Sequence, residues 1–112
     1  MPIMAIYRAS EIDPETFSRY RLEVPIDPIP EGAISHHVAF DAQGLICVDV
    51  WESEEQLNAF MKDRVIPGLE RLGLPTRAPE VLELHALWTA GDAERHNLAT
   101  PAPAAAPTVE PV

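Results

Sequence analysis

The stretch from Ala33 to Gln56 constrains the fold more than any other part of the sequence, because it predicts a β-hairpin that runs directly into a helix. Its first arm, residues 34–40, alternates between two sets of side chains, and its second arm, residues 45–51, is rich in β-branched and aromatic residues. The segment from Asp41 to Gly44 is typical of a turn. Ser53, with Gln56 three residues later, forms a capping box that begins the helix.

The turn predicts the register of the hairpin and therefore its two faces. If the residues from 41 to 44 close it, Phe40 faces Leu45, His36 faces Asp49 and Ile34 faces Trp51. The first face then carries these six side chains with Val38 and Cys47, and the second carries Ser35, His37, Ile46, Val48 and Val50. We expect the helices to pack on the second face and to leave the first face uncovered. A change of one residue in the turn would exchange His36 for His37 on the first face.

The segments before the hairpin predict one strand and one helix. Residues 2–8 alternate well enough for a strand, which we place centrally in the sheet. Asp13 is a good N-cap and Pro14 suits the first helical position, so a helix is expected from about Pro14 to Glu23. The proline-rich segment 25–30 cannot continue that helix and is expected to be a loop.

The segments after the hairpin predict a second helix and a fourth strand. Pro67 cannot lie inside a regular helix without cost, so we expect the helix after Ser53 to kink or restart near Pro67 and to end at Gly73. Val81 to Trp88 alternates as a strand. We expect one of its rows to cover the helices and to make Trp88 a core residue, namely the row of Leu82, Leu84, Ala86 and Trp88.

This order of elements predicts an α+β fold of the ferredoxin-like βαββαβ type, with a four-stranded antiparallel sheet and both helices on one face. The domain is expected to span residues 1–90. The face without helices would expose a large apolar patch, and a homodimer that pairs two such faces is the economical way to cover it. Residues 91–112 are rich in proline and alanine and predict a disordered tail.

Composition excludes several classes of protein. The chain has a net charge of −10 and only eight lysines and arginines, so it lacks the basic surface that a nucleic-acid or anionic membrane partner requires. No apolar run is long enough to cross a bilayer, and a cytoplasmic location is expected. The single cysteine, Cys47, excludes an intramolecular disulfide and a CxxC metal site.

The segment Val48-Asp49-Val50-Trp51-Glu52-Ser53-Glu54-Glu55, followed by Phe60 and by Arg64-Val65-Ile66-Pro67, resembles the dimeric α+β barrel superfamily, specifically the small proteins grouped with antibiotic biosynthesis monooxygenases. The resemblance covers Met1 to about Leu87. It implies a homodimer with a ligand cavity between the sheet and the helices, lined by Trp51. The haem-degrading branch has a histidine in the second helix, and residues 57–72 contain none. The monooxygenase branch pairs an asparagine with the tryptophan, and here Tyr7 occupies the place on the first strand where the asparagine is expected.

The candidate catalytic pair is His36 with Asp49. An imidazole beside a carboxylate can take and return a proton near neutral pH, as the enolisation or cyclisation of a polyketide-like substrate requires. The same pair can instead be a cross-strand contact that fixes register. The candidate substrate-binding residues are Tyr7, Val38, Phe40, Trp51 and His85.

Two further chemistries are open. His36, Asp49 and His85 are N and O donors suited to zinc or non-haem iron, although their spacing matches no known motif and the leading hypothesis includes neither a metal nor another cofactor. Cys47 is either a nucleophile beside a histidine or a small buried apolar residue.

The leading hypothesis is a homodimer that binds a small hydrophobic, aromatic or polyketide-like molecule. If it is an enzyme, cofactor-free monooxygenase or cyclase chemistry is expected. The alternatives are a non-enzymatic binding or interaction module and a His/Asp metal-binding protein.

Overall fold

The computed structural model describes residues 1–89, and these form the βαββαβ fold that the sequence predicts. The elements are β1 (Ile3–Ala9), α1 (Pro14–Glu23), β2 (Ala33–Asp41), β3 (Gly44–Trp51), α2 (Glu54–Phe60), a π-helical segment (Met61–Val65), α3 (Ile66–Leu72) and β4 (Glu80–Glu83). The prediction of a disordered tail concerns residues 91–112, which lie outside the described part of the chain.

The sheet is antiparallel with the strand order β2-β3-β1-β4, so β1 is central, as predicted. The hairpin register is confirmed for His36 with Asp49 and for Phe40 with Leu45. It is wrong at Ile34, because Ala33 pairs with Trp51 and the register shifts between Ala33 and Ser35. A β-bulge of this kind adds one residue to a strand and is not visible in an alternating pattern.

Both helix starts follow their predicted caps. The N–H of Thr16 donates to Asp13 Oδ1 at 2.7 Å at the start of α1. The N–H of Gln56 donates to the Ser53 hydroxyl at 3.2 Å at the start of α2. These side chains satisfy backbone donors that have no partner within the helix.

The second helical stretch changes its helix type before Pro67, where a kink or restart is predicted. The π-helical segment Met61–Val65 continues directly into α3, and Val65 and Ile66 keep helical backbone angles. The irregularity near Pro67 is therefore a π-bulge inside one helical run rather than a break. α3 ends at Gly73, whose φ of 70° is the left-handed conformation that glycine adopts without steric cost.

The predicted assignment of the two sheet faces is wrong. Ile3, Ala5 and Trp51 form one core cluster with Leu57 of α2. A second cluster contains Ala9, Ile12 and Leu45, with Tyr7, Phe17 and Val38 packed against it. The face that carries Trp51, Asp49 and Cys47 is therefore the one beneath the helices, and the β-branched face is free of them.

The physical reason lies partly in β1. Ala5 and Ala9 are buried on the helix-facing side, and their small size leaves room for large side chains from the helices. The sequence pattern defines two faces, but the face with more aliphatic side chains is not necessarily the one that the helices cover.

The fourth strand is shorter than predicted. β4 ends at Glu83, and Val81 packs against the helix-facing cluster while Leu82 is exposed. The prediction that Trp88 belongs to the core is wrong, because Trp88 is 72% exposed. Among residues 1–89, no helix combines the length and the apolar character needed to cross a membrane.

Candidate functional site

The candidate site lies on the helix-facing side of the sheet, beneath α1. β3 places Cys47, Asp49 and Trp51 at alternate positions on this side. β2 places His36 beside Asp49, and β1 places Tyr7 beside Cys47. Strand pairing therefore brings together most of the residues that the sequence nominates.

The centre of the site is a hydrogen-bonded chain that runs from α1 to β3. His36 Nδ1 and Asp49 Oδ1 are 2.5 Å apart, and Arg21 Nη2 lies 2.5 Å from His36 Nε2. A guanidinium group can only donate, so Nε2 of His36 accepts from Arg21. His36 is then neutral, with its proton on Nδ1 and donated to Asp49.

Cys47 joins this chain as a thiol. Its Sγ donates to Asp49 Oδ1 at 3.4 Å and lies 3.7 Å from His36 Nδ1. Burial, with a smaller contribution from the negative charge of Asp49, raises the pKa of the Cys47 thiol far above its ordinary value. Since the nucleophile is the thiolate, this environment disfavours the nucleophilic interpretation of Cys47 in the metal-free chain; Cys47 is partly buried and hydrogen-bonded rather than a fully buried apolar residue.

Aromatic residues of α1 cover the site. Phe17 and Tyr20 stack with ring centroids 5.7 Å apart, and the Arg21 guanidinium lies over the Phe17 ring at 5.0 Å from its centroid. Burial raises the pKa of the Tyr20 phenol, so its hydroxyl stays protonated throughout the neutral range. The Arg21 guanidinium thus lies against an apolar ring, whereas the side chains of His36 and Asp49 are 35% and 16% exposed.

Two buried donors near this chain have no hydrogen-bond partner among the described residues. They are the hydroxyl of Tyr7 and the indole Nε1–H of Trp51. Buried polar groups are paired in most proteins, because an unpaired one costs about 1–3 kcal/mol. Trp51 lies two residues from Asp49 on β3, and Tyr7 is paired with Cys47, which lies two residues from Asp49 in the other direction.

The structure also decides between the two neighbouring histidines. His36 is on the helix-facing side, whereas His37 lies on the helix-free face, where its Nε2 is 3.1 Å from the hydroxyl of Ser35. His85 is exposed and lies beyond the end of β4, at the opposite edge of the sheet from β2. It does not join His36 and Asp49, so the structure does not assemble the proposed metal ligands His36, Asp49 and His85.

Val38 and Phe40 lie at the edge of the site rather than at its centre. Val38 is half-buried opposite Cys47. Phe40 meets Phe17 edge to face at 5.9 Å between centroids. Phe40 also lines a surface depression of about 530 Å³ between the hairpin turn and the start of α1, whose other lining residues are Ser10, Ile12, Asp13, Pro14, Asp41, Ala42, Gln43 and Gly44.

Arg21 is the site residue that the sequence analysis misses. It follows Phe17 by four residues, and positions at that spacing lie on one face of a helix. Phe17 and Tyr20 define the inward face of α1, so helical spacing alone contained a signal that Arg21 faces the sheet.

Comparison with known proteins supports the fold and no finer assignment. No family model matches the chain, and no curated protein matches it significantly. The solved structure of Rv0793 from Mycobacterium tuberculosis has a TM-score of 0.53 and 17% identity, and the match covers 81% of this chain and 100% of that chain. A conserved protein from Methanosarcina mazei Go1 has a TM-score of 0.44 and 14% identity, with 72% of this chain and 86% of that chain covered. The chain therefore has a ferredoxin-like α+β fold that is similar to that of Rv0793.

Proposed function

We propose that the protein binds a small aromatic, polyketide-like molecule between the sheet and α1, and that the His36–Asp49 pair moves a proton on it. The observation that carries this proposal is that two buried donors on the helix-facing side of the sheet, Tyr7 Oη–H and Trp51 Nε1–H, have no hydrogen-bond partner among the described residues. A ligand oxygen would supply the acceptor that each donor lacks. The aromatic rings of α1 fit the flat apolar body of such a ligand.

The hydrogen bonds assign a role to each polar residue. Asp49 fixes the proton of His36 on Nδ1, so Nε2 is the atom that accepts a proton from the substrate. Arg21 now donates to Nε2. When a ketone or phenol binds, the guanidinium can transfer to the substrate oxygen on which negative charge develops, which frees Nε2 to act as the base.

A simple reaction of this type is the oxidation of anthrone. Removal of a proton from its methylene carbon gives an enolate, which reacts with dioxygen, and the balanced result is anthrone + O₂ → anthraquinone + H₂O. We expect His36→Ala to lower kcat for anthrone about 100-fold or more, the usual contribution of a general base. The matched control is His37→Ala, which removes the neighbouring imidazole on the other face. Equal rates in both variants would remove His36 from the mechanism.

Binding can be measured separately from catalysis. The chain has two tryptophans, Trp51 and Trp88, so Trp88→Phe leaves Trp51 as the single indole reporter. Titration of this variant with a dihydroxyanthraquinone is expected to quench Trp51 fluorescence saturably, and Tyr7→Phe is expected to weaken the binding. Absence of saturable quenching would contradict the proposed ligand class.

We also propose that the working form is a homodimer that pairs the helix-free faces of two sheets. On the two central strands this face carries four partly exposed apolar side chains, Met4, Ile6, Ile46 and Val48, next to the buried Val50 and the exposed Arg8. A partly exposed apolar patch on a sheet can mark an interaction surface. Sedimentation velocity is expected to show a dimer for the unmodified chain and a monomer for Val48→Lys. Leu22→Lys on exposed α1 is the control, and a monomeric unmodified chain at micromolar concentration would contradict the dimer.

One observation favours a non-enzymatic binding or interaction module. Trp51 is only 2% exposed and packs against Ile3, Ala5 and Leu57, with its ring 5.3 Å from that of Phe60. This second function predicts that side chains fill the space beside Trp51 and leave no cavity for a ligand. The quenching experiment separates the two, since a filled core admits no anthraquinone.

A further inference from the structure

We propose that His36, Cys47 and Asp49 form a zinc site, and that Zn²⁺ and Arg21 compete for His36. The donor atoms of the three side chains lie within 4.8 Å of one another. They come from two adjacent strands rather than from a loop, so their relative positions are fixed by the sheet. Nitrogen, sulfur and oxygen donors together are a set that zinc accepts.

The distances approach those of a tetrahedral site. Bonds of about 2.0–2.3 Å from zinc to N, O and S place the ligands of one ion about 3.3–3.6 Å apart. Cys47 Sγ is 3.4 Å from Asp49 Oδ1 and 3.7 Å from His36 Nδ1. The remaining separation, between Nδ1 and Oδ1, is 2.5 Å and must widen to this range when an ion binds.

The protons of the metal-free site lie where the cation would bind. Nδ1–H of His36 and the thiol of Cys47 both point at Asp49 Oδ1. Zinc ligated by Nδ1 and by the thiolate replaces both protons. The imidazole proton moves to Nε2, and the thiol proton leaves, so one proton is released for each zinc bound. Three protein ligands leave the fourth position open.

Competition with Arg21 follows from the same tautomer. In the metal-free state Nε2 accepts from Arg21 Nη2. When zinc occupies Nδ1, Nε2 carries the proton and faces a second donor, so the Arg21–His36 hydrogen bond cannot persist. The positive charge of Arg21 also opposes the bound cation. Removal of Arg21 should therefore strengthen zinc binding, although Arg21 is not a ligand.

The experiment uses the full-length chain without a histidine tag, freed of metal with chelator. Titration with Zn²⁺ in a calorimeter is expected to show one site per chain and the release of one proton. Co²⁺ is expected to give thiolate-to-cobalt charge-transfer absorption, which Zn²⁺ abolishes by displacement. Absence of that absorption in the unmodified chain would overturn the proposal without recourse to any variant.

Variants test the ligands and the competition separately. Cys47→Ser and Asp49→Asn should each weaken Zn²⁺ binding by a factor of about 100, and His37→Gln should leave it unchanged. Arg21→Gln should tighten binding about tenfold, the effect of removing one nearby positive charge. Unchanged affinity in Cys47→Ser, or unchanged or weaker affinity in Arg21→Gln, would overturn the proposal. Neither readout depends on anthrone chemistry, so its failure is distinct from that of the proposed function.

Discussion

The helices α1 and α2 cover the same face of the sheet in different ways. Beneath α2 the contact is dry and apolar, with Ile3, Trp51 and Leu57 all buried. Beneath α1 lies the chain of polar groups from Arg21 to Asp49, and α1 itself contributes no fully buried residue. The contact under α2 is therefore made by buried apolar side chains, whereas the contact under α1 combines partly buried aromatic rings with polar groups.

The ends of α1 differ from its middle in the same sense. Ile12 just before α1 is 1% exposed and Val24 just after it is 0% exposed. Val24 packs over Gly68 of α3, where an added Cβ would collide with its side chain. The helix is thus held by buried residues at both ends, whereas Phe17 and Tyr20 in its middle are only partly buried.

The largest expected effect tests the apolar region. Leu57→Ala should lower the free energy of unfolding by about 2–5 kcal/mol, because Leu57 is 2% exposed and its removal leaves a cavity against Trp51. The matched control on α1 is Leu22→Ala, which should change stability by less than about 0.5 kcal/mol since Leu22 is 83% exposed. Equal effects in urea unfolding would contradict the contrast between α1 and α2.

The next effect tests the polar region. A double-mutant cycle of His36→Ala and Asp49→Ala should give a coupling of about 1–2 kcal/mol, as expected of a half-buried hydrogen bond to a charged group. A parallel cycle with His37→Ala should give a coupling near zero, because His37 is on the other face. A His36–Asp49 coupling as small as that of a surface pair would mean that α1 does not shield the site.

The pH dependence of the free energy of unfolding reports how far the Cys47 thiol beneath α1 is shielded from water. Burial raises the pKa of the Cys47 thiol, so the folded chain keeps its proton while the unfolded chain loses it above about pH 8.5. The free energy of unfolding is therefore highest below that pH, where the Cys47 thiol is protonated in both states, and it falls as the pH rises further. The slope approaches about 1.4 kcal/mol per pH unit.

Cys47→Ala isolates this contribution, since Cys47 is the single cysteine. With chelator present, the variant should show a flat stability profile from about pH 8 to about pH 10, above which unfolded tyrosines ionise and the raised pKa of Tyr7 and Tyr20 begins to matter. A slope that persists below that pH in the variant would show that the thiol of Cys47 is not the source.

The same contrast explains what the sequence could predict. Short-range signals were sufficient for the order of the elements and for most of the hairpin register: the Asp13 and Ser53 caps, the irregular helix before Pro67 and the pairing of His36 with Asp49 all hold. The register fails only at the bulge next to Ile34. Alternation also grouped His36, Asp49 and Trp51 on one face.

What failed depends on contacts between distant segments. Alternation does not reveal which face the helices cover, and that was decided by the packing of Ala5 and Ala9 against helix side chains. Arg21 joins the site through a contact across the sheet–helix interface, 15 positions from His36 in the chain. Trp88 continued an alternating row, but β4 ends at Glu83, so the row has no sheet to belong to.

The smallest expected effect tests how the ends of α1 are held. Arg77 donates from Nε and Nη2 to the two carboxylate oxygens of Glu11, both at 3.0 Å, just before α1 begins. Arg71 makes the corresponding contact at the other end, with Nε 2.6 Å from Glu23 Oε2 and Nη2 2.9 Å from the Glu23 carbonyl. Arg71 belongs to α3 and Arg77 lies in the segment between α3 and β4. The two ion pairs therefore join both ends of α1 to this part of the chain.

Hydrogen bonding to Arg77 lowers the pKa of the Glu11 carboxyl below its ordinary value. A lowered pKa means that the pair stabilises the fold above about pH 4.3, and that this stabilisation is lost as the pH falls through the folded value. Glu11→Gln should therefore reduce Tm by about 2 °C near neutral pH, and the difference should shrink as the pH falls through the lowered pKa of the folded Glu11 carboxyl. Arg77→Gln should reproduce the loss, and exposed Glu31→Gln is the control. A Tm difference that persists in acid would show that Glu11 acts through packing rather than charge, and the ends of α1 would then be held by Ile12 and Val24 alone.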